Sequence, residues 1–296
     1  GAAVASGKAA IPRLPDAARA PAPFRGRGPA TDLCLPEAHA HLNLLPEVRR
    51  AEPALVHEAP VSPHLLDTRV QMLNAVVPVA RDAEAAGSLF VAVVPIGRVL
   101  LFGSAPGRSR GDEPHLAVGW EPDAGAAGSV APDVAFRFVS PAGVVEGAMV
   151  VWHYAERGQA PAPDVPRAVR DRFDEVWTDP TGPFRTDLVD ADDILGSPLR
   201  RLVLVQAEAW RAERAGLLGA ERWVVVAAFP GLNHELWALP ARLSRRVPTV
   251  AGDALALWES VQRSPDRAVR FDTAALVTGT APTGADFRHR YAHLAP

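Results

Sequence analysis

Asp133 and His153 are the residues whose types and spacing point most directly to chemistry. Asp133 precedes the alternating run Val134-Ala135-Phe136-Arg137-Phe138. The turn Ser140-Pro141-Ala142-Gly143 follows, and a second apolar run leads through Met149 to Val151-Trp152-His153-Tyr154-Ala155-Glu156. Read as a hairpin, the two runs put Asp133 at the opening of one strand and Val151 and His153 together on one face of the next, because side chains alternate along a strand. A carboxylate is thereby expected near an imidazole, a pair suited to general acid or base work near neutral pH. Trp152 and Tyr154 alternate to the opposite face, where packing is their first role. Glu156 stands at the strand end. The bland alternatives are a strand-terminating Asp133 and a His153 satisfied within a core.

Other chemistry-bearing residues form weaker patterns. His39 and His41 have alternate spacing but no further ligands beside them, and His234-Glu235 lacks the second helical histidine of a zinc-protease motif. Ser104 and Ser109 lie in a Gly, Ser and Arg-rich loop without a nucleophile-elbow pattern. Cys34 is the one cysteine, so neither an intrachain disulfide nor a thiolate cluster is available, which fits a reducing cytoplasm.

Composition bounds the rest. The 296 residues are 48% hydrophobic, enough for a substantial core in an ordinary globular protein. A net charge of -3 and a pI near 6.3 give no overall pull towards polyphosphate, so nucleic acid is a disfavoured partner that would need a local basic surface. No apolar run approaches the roughly 20 residues that span a bilayer, and the first residues lack the charged-then-apolar order of a signal peptide. A cytoplasmic protein with no membrane partner is expected, its oligomeric state left open.

The elements that must position Asp133 and His153 are expected as follows. Residues 1–35 are Ala, Pro, Gly and Arg without a period and read as an N-terminal arm; residues 36–296 read as a single α/β domain. A short helix is expected over 37–50. A second, from His64, carries Leu65, Leu66, Val70, Leu73 and Val77 at helical spacing and sets Asp67 and Asn74 two turns apart on roughly one side. Strands are expected over 90–96 and 99–102, then the hairpin, a polar helix from the Pro161-Pro163-Pro166 punctuation to Val176, and a turn or short helix over 190–196. Leu199 to Leu218 reads as a long helix with Leu202, Val205, Ala209, Ala212 and Leu217 as its apolar stripe. Arg222 to Pro230 reads as a buried strand, and helices near 254–262 and 285–294 close the domain.

Several separated segments together resemble the PD-(D/E)XK restriction-endonuclease-like superfamily, in a bacterial nuclease-like branch. In that branch a His-Leu-Leu-Ser-Ser-Gln-x(4)-Asn segment precedes a Pro; here it stands as His64-Leu65-Leu66-Asp67-Thr68-Arg69 with Asn74 and Pro78. The branch's Arg-Gly and strand-opening Asp are matched by Arg110-Gly111 and Asp133, and its Glu-Trp-Lys-Tyr-Thr-Glu strand by Val151-Trp152-His153-Tyr154-Ala155-Glu156. Further matches are Pro198 with Arg201, Leu202 and Gln206 on a later helix, Phe229-Pro230 with Asn233, and Phe287 to Tyr291 with Leu294. The resemblance implies a restriction-endonuclease-like core, a central mixed β-sheet flanked by helices.

It also implies a degenerate catalytic motif. The superfamily holds Mg²⁺ with two carboxylates while a Lys positions water and charge, and here those Glu and Lys positions are Val151 and His153. Hard Mg²⁺ needs oxygen ligands, so ordinary metal-dependent phosphodiester cleavage is not expected without a carboxylate relocated to Glu146 or Glu156. Asp67, Arg69, His153 and Arg201 put titratable groups at positions aligned with Ser, Gln, Lys and Gln. The leading expectation is a nuclease fold repurposed as a metal-independent, cofactor-free acid-base enzyme on a small organic substrate, by cyclisation, elimination, isomerisation or hydrolysis in specialised metabolism. Asp133, His153, Glu156 and Arg69 are its candidate catalytic residues, and Asp67, Asn74, Tyr154, Arg201 and Gln206 its candidate substrate-binding residues. The competing expectations are a Mg²⁺-dependent endonuclease with a moved carboxylate and a non-catalytic binding protein.

Overall fold

The computed structural model describes Leu44 and residues 68–80, 82–91, 94, 96–100, 116–118, 123, 126–153, 164–231, 237–278, 283 and 285–292. The N-terminal arm, the helix expected over 37–50, the cysteine, His39, His41 and the serine loop lie outside the described residues.

The hairpin forms where the alternation predicts it. Strand β3 (Val134–Val139) pairs antiparallel with β4 (Val145–Trp152), with Val134 opposite Val150 and Val139 opposite Val145. Its turn closes through Ser140 N–H to the Val144 carbonyl at 2.8 Å and Gly143 N–H to the Ser140 carbonyl at 2.9 Å. Gly143 sits at φ +81°, a conformation that a side chain would strain. Two short strands, β1 (Arg98–Leu100) and β2 (Ala117–Val118), pair antiparallel with the other edge of β3. On the far side of β4 lie β5 (Arg222–Phe229) and β6 (Ala268–Asp272), both parallel, completing a mixed sheet in the order β1-β3-β4-β5-β6.

Two cores cover the two faces. Val134, Phe136, Phe138, Ala148, Val150 and Trp152 pack against α1 (Thr68–Val76) and α2 (Ala83–Phe90). Ala135, Met149 and Val151 pack on the other side against α3 (Arg167–Thr178), α4 (Ala191–Leu195) and α5 (Arg200–Arg214). Helices α6 (Ala241–Arg246) and α7 (Ala254–Ser260) join this second core, whereas α8 (Ala275–Thr278) and α9 (Ala285–Arg290) follow β6 and add Leu276 and Phe287 to the first. The chain is therefore α/β, a mixed sheet between helical layers. In β5, Trp223 to Ala228 are all buried and alternate between the two cores, which is why that strand reads as an unbroken apolar run. No described helix is long and apolar enough to cross a membrane.

β2, α6 and α8 are not anticipated in the sequence, and three further elements depart from expectation. Of the strand expected over 90–96, Phe90 closes α2 and the other described residues, Val91, Val94 and Ile96, are not in a strand; Asp82 caps α2 by accepting hydrogen bonds from the backbone N–H of Glu84 and Ala85. The long helix stops at Arg214 because Gly216 enters the left-handed region at φ +59°, so Leu217 lies past its end. Strand β6 had no sequence signal of its own: it is an edge strand whose Arg270 faces out to bind Glu259.

Candidate functional site

The parallel strands β4, β5 and β6 end on one side of the sheet, and because β3 runs antiparallel to β4 its first residues lie on that side too. In parallel α/β sheets the carboxyl ends of strands are where ligands bind, because the connecting segments there are free to vary.

Asp133 sits at this end. Its backbone N–H donates to the Val150 carbonyl at 2.9 Å, and Pro132 before it has no N–H with which to continue the ladder. Past that point the Asp133 carboxylate serves the facing strand: Oδ2 accepts from the Trp152 backbone N–H at 2.7 Å. Its other oxygen, Oδ1, accepts from Arg201 Nη2 at 2.6 Å. Arg201 belongs to the first turn of α5, whose start must lie at this end because the helix runs back to feed β5. Arg201 keeps 40% of its side chain exposed, while Asp133 keeps 18%.

His153 follows directly on β4. Its backbone N–H donates to the Ala228 carbonyl at 2.8 Å, carrying the β4–β5 ladder one residue past the strand. The buried imidazole meets the indole of Trp237 edge-on at 5.0 Å, and Trp237 meets Phe229 edge-on at 5.4 Å. Asp133 and His153 thus share the strand end, but the carboxylate's described hydrogen bonds go to Arg201 and the Trp152 N–H. Beneath them Val151 is fully buried in the core.

The remaining candidates are distributed around this centre. Trp152 faces away from His153, and its Nε1–H donates to Gln71 Oε1 at 2.8 Å. Asn74, on the same helix as Gln71, is buried on that far face and donates to the Tyr291 hydroxyl at 3.0 Å, so the sheet separates it from Arg201. Arg69 is half-buried, two residues before Gln71. Gln206 is buried on α5, and its Oε1 has no hydrogen-bond partner among the described residues. Asp67, Tyr154 and Glu156 lie outside the described residues, as do Arg110, Gly111, Asn233 and Leu294.

Sequence reasoning missed Gln71 and Trp237. Gln71 carried one usable signal, three residues before Asn74 within an otherwise apolar helix. Trp237 carried none, being an isolated aromatic between Glu235 and Leu239.

The described residues do not fit a Mg²⁺ site. Val151 offers no oxygen, and one Asp133 oxygen is taken by a guanidinium, whose positive charge opposes a cation beside it. Glu146 is no substitute: five residues before Val151, it lies about 16 Å along the strand, and it is paired there with Arg222 at 2.7 Å. Among the described residues no three His, Cys, Asp or Glu side chains gather where an ion would be held.

What the arrangement offers chemically is a guanidinium fixed by a half-buried carboxylate, beside a histidine walled by aromatic rings. No family model, curated protein or solved structure matches this chain.

Proposed function

We propose that this chain is a restriction-endonuclease-like core whose strand-end site has been turned from metal-dependent cleavage to acid-base chemistry on a small organic molecule. The observation that carries the reading is the Asp133–Arg201 ion pair at 2.6 Å, standing where the resemblance places a metal. A metal-binding aspartate needs its oxygens for the ion, whereas this one orients a cation. Support for the fold assignment comes from the succession of an antiparallel β1-β3-β4 unit, a helical crossover and the parallel strand β5.

In this reading Asp133 is a positioning residue. It removes the rotational freedom of Arg201, whose unused N–H groups then meet an anionic or carbonyl oxygen of the substrate. His153 is the group that takes or returns a proton, and Trp237 and Phe229 exclude water from one side of it. A reducing cytoplasm is the compartment this assigns, and a small molecule the partner.

The test is twofold. With EDTA present, the protein is incubated with a small-molecule extract and followed by mass spectrometry; wild type is expected to consume at least one compound that H153N leaves untouched. Plasmid cleavage that appears with Mg²⁺ or Mn²⁺ and disappears in D133N would instead establish a nuclease and overturn the reading.

A further inference from the structure

Trp237 has a property that its packing alone does not account for. It is only 6% exposed, yet its indole N–H has no acceptor among the described residues. Native proteins seldom bury a strong donor without a partner, and the exceptions concentrate where a ligand or an ordered water completes the bond. Trp258 makes the comparison useful. Its Nε1 is likewise buried and without a partner among the described residues, and both indoles belong to the same core, but Trp258 lies on α7 whereas Trp237 stands against the His153 ring at the strand end.

Beside the His153 imidazole, which can both donate and accept, stand a guanidinium and an indole that only donate. Arg201 supplies only donors, and Asp133 engages a single one of its nitrogens. Asp133 is already engaged by Arg201 and the Trp152 N–H, and Asp272, which closes β6 at the same end, accepts from the backbone N–H groups of Gly231 and Ala274. A ligand that meets Arg201 and the Trp237 indole must therefore bring acceptors, while the rings of Trp237, Phe229 and His153 favour a flat apolar body. We propose that the substrate class is small organic acids with a planar apolar portion, the carboxylate received by Arg201 and one oxygen held by the Trp237 indole N–H. This inference rests on the acid-base reading of the same site and adds to it a substrate class and a specificity residue.

The probe is benzoate, with benzamide as its neutral isostere, titrated calorimetrically into the full-length protein. Benzoate is expected to bind wild type, with affinity falling at least tenfold in R201Q and about fivefold in W237F, which keeps the ring and removes the donor. W258F, which removes the comparable N–H elsewhere, is expected to leave affinity unchanged. The ligand-free thermal midpoint of W237F is expected to match or exceed that of wild type, since no bond is lost; a purely structural N–H bond would lower it. Equal benzoate affinity in W237F and wild type, equal binding of benzamide, or no binding of benzoate overturns the inference. None of these outcomes touches the acid-base reading, which is decided separately by turnover in H153N.

Discussion

Arg201 Nη2 reaches Asp133 Oδ1 at 2.6 Å across sixty-eight residues of chain, joining the first turn of α5 to the residue that opens β3. The same carboxylate holds the Trp152 N–H, so one side chain couples a helix to the end of two strands. Because Arg201 is substantially exposed, solvent screens the pair, and its value lies more in orientation than in stability.

A double-mutant cycle measures that balance. D133N keeps an oxygen for the Trp152 N–H but removes the charge, and R201Q removes the cation. Urea denaturation of the single and double variants is expected to return a coupling of about 0.5–1 kcal/mol. A coupling of several kcal/mol would make the pair a structural element rather than a positioning one.

Val151 is fully buried, so restoring the carboxylate of the resembled motif has a steep cost. V151E is expected to lose about 3–5 kcal/mol, the range for a buried charge lacking its partner, and to gain no Mg²⁺-dependent cleavage, because Asp133 remains bound to Arg201. A stable V151E that cuts plasmid DNA would refute the argument that the described residues do not fit the metal.

Gln206 buries an amide oxygen that has no described hydrogen-bond partner. Q206M, of similar shape, is expected to be neutral or to stabilise by up to about 1 kcal/mol, since no bond is broken and a desolvated oxygen is removed. If turnover falls while thermal stability holds, Gln206 belongs to the substrate site; if stability falls, an ordered water partners the oxygen.

Asp82 caps α2, the helix that precedes β1. It accepts from Glu84 N–H at 2.9 Å and Ala85 N–H at 3.0 Å. D82A is expected to cost about 1 kcal/mol, with hydrogen exchange quickening first in Glu84 and Ala85. Unchanged exchange there would show that packing of Phe90 on Phe136, 4.5 Å apart, holds α2 unaided.

Asp190 gives a pH dependence with a defined sign. Its hydrogen bond to Arg246 holds the carboxyl below the usual range. A group whose folded pKa is depressed adds stability above its unfolded value, about 4 for an aspartate, and that stability drains away as pH falls through the lowered folded value. The gap between wild type and D190N is therefore expected to be open at neutral pH and to close in acid. It should also shrink in high salt, because the pair is exposed. A gap that widens in acid contradicts the assignment.

The alternation of period two from Val134 to Val139 and from Val145 to Trp152 was sufficient to establish the hairpin, its turn at Gly143 and the opposite facing of Trp152 and His153. One buried face specifies register strongly, and each residue's side follows from counting. Helical spacing likewise marked α5, and the unbroken apolar run marked β5. The same local logic failed at Phe90, which closes α2 instead of opening a strand, and at β6, whose outward arginine hides an edge strand.

The site divides along the same line. Sequence alone determined that Asp133 opens one strand of a hairpin, that Val151 and His153 share one face of the next, and that Val151 brings no oxygen there, because these follow from residue type and a short-range period. Only the tertiary structure decided that the carboxylate serves Arg201, that Gln71 receives the Trp152 indole while Asn74 faces Tyr291, and that Trp237 walls the imidazole. Those partners lie tens to hundreds of residues apart, and what brings them together is the packing of helices on a sheet, which leaves no repeating pattern along the chain.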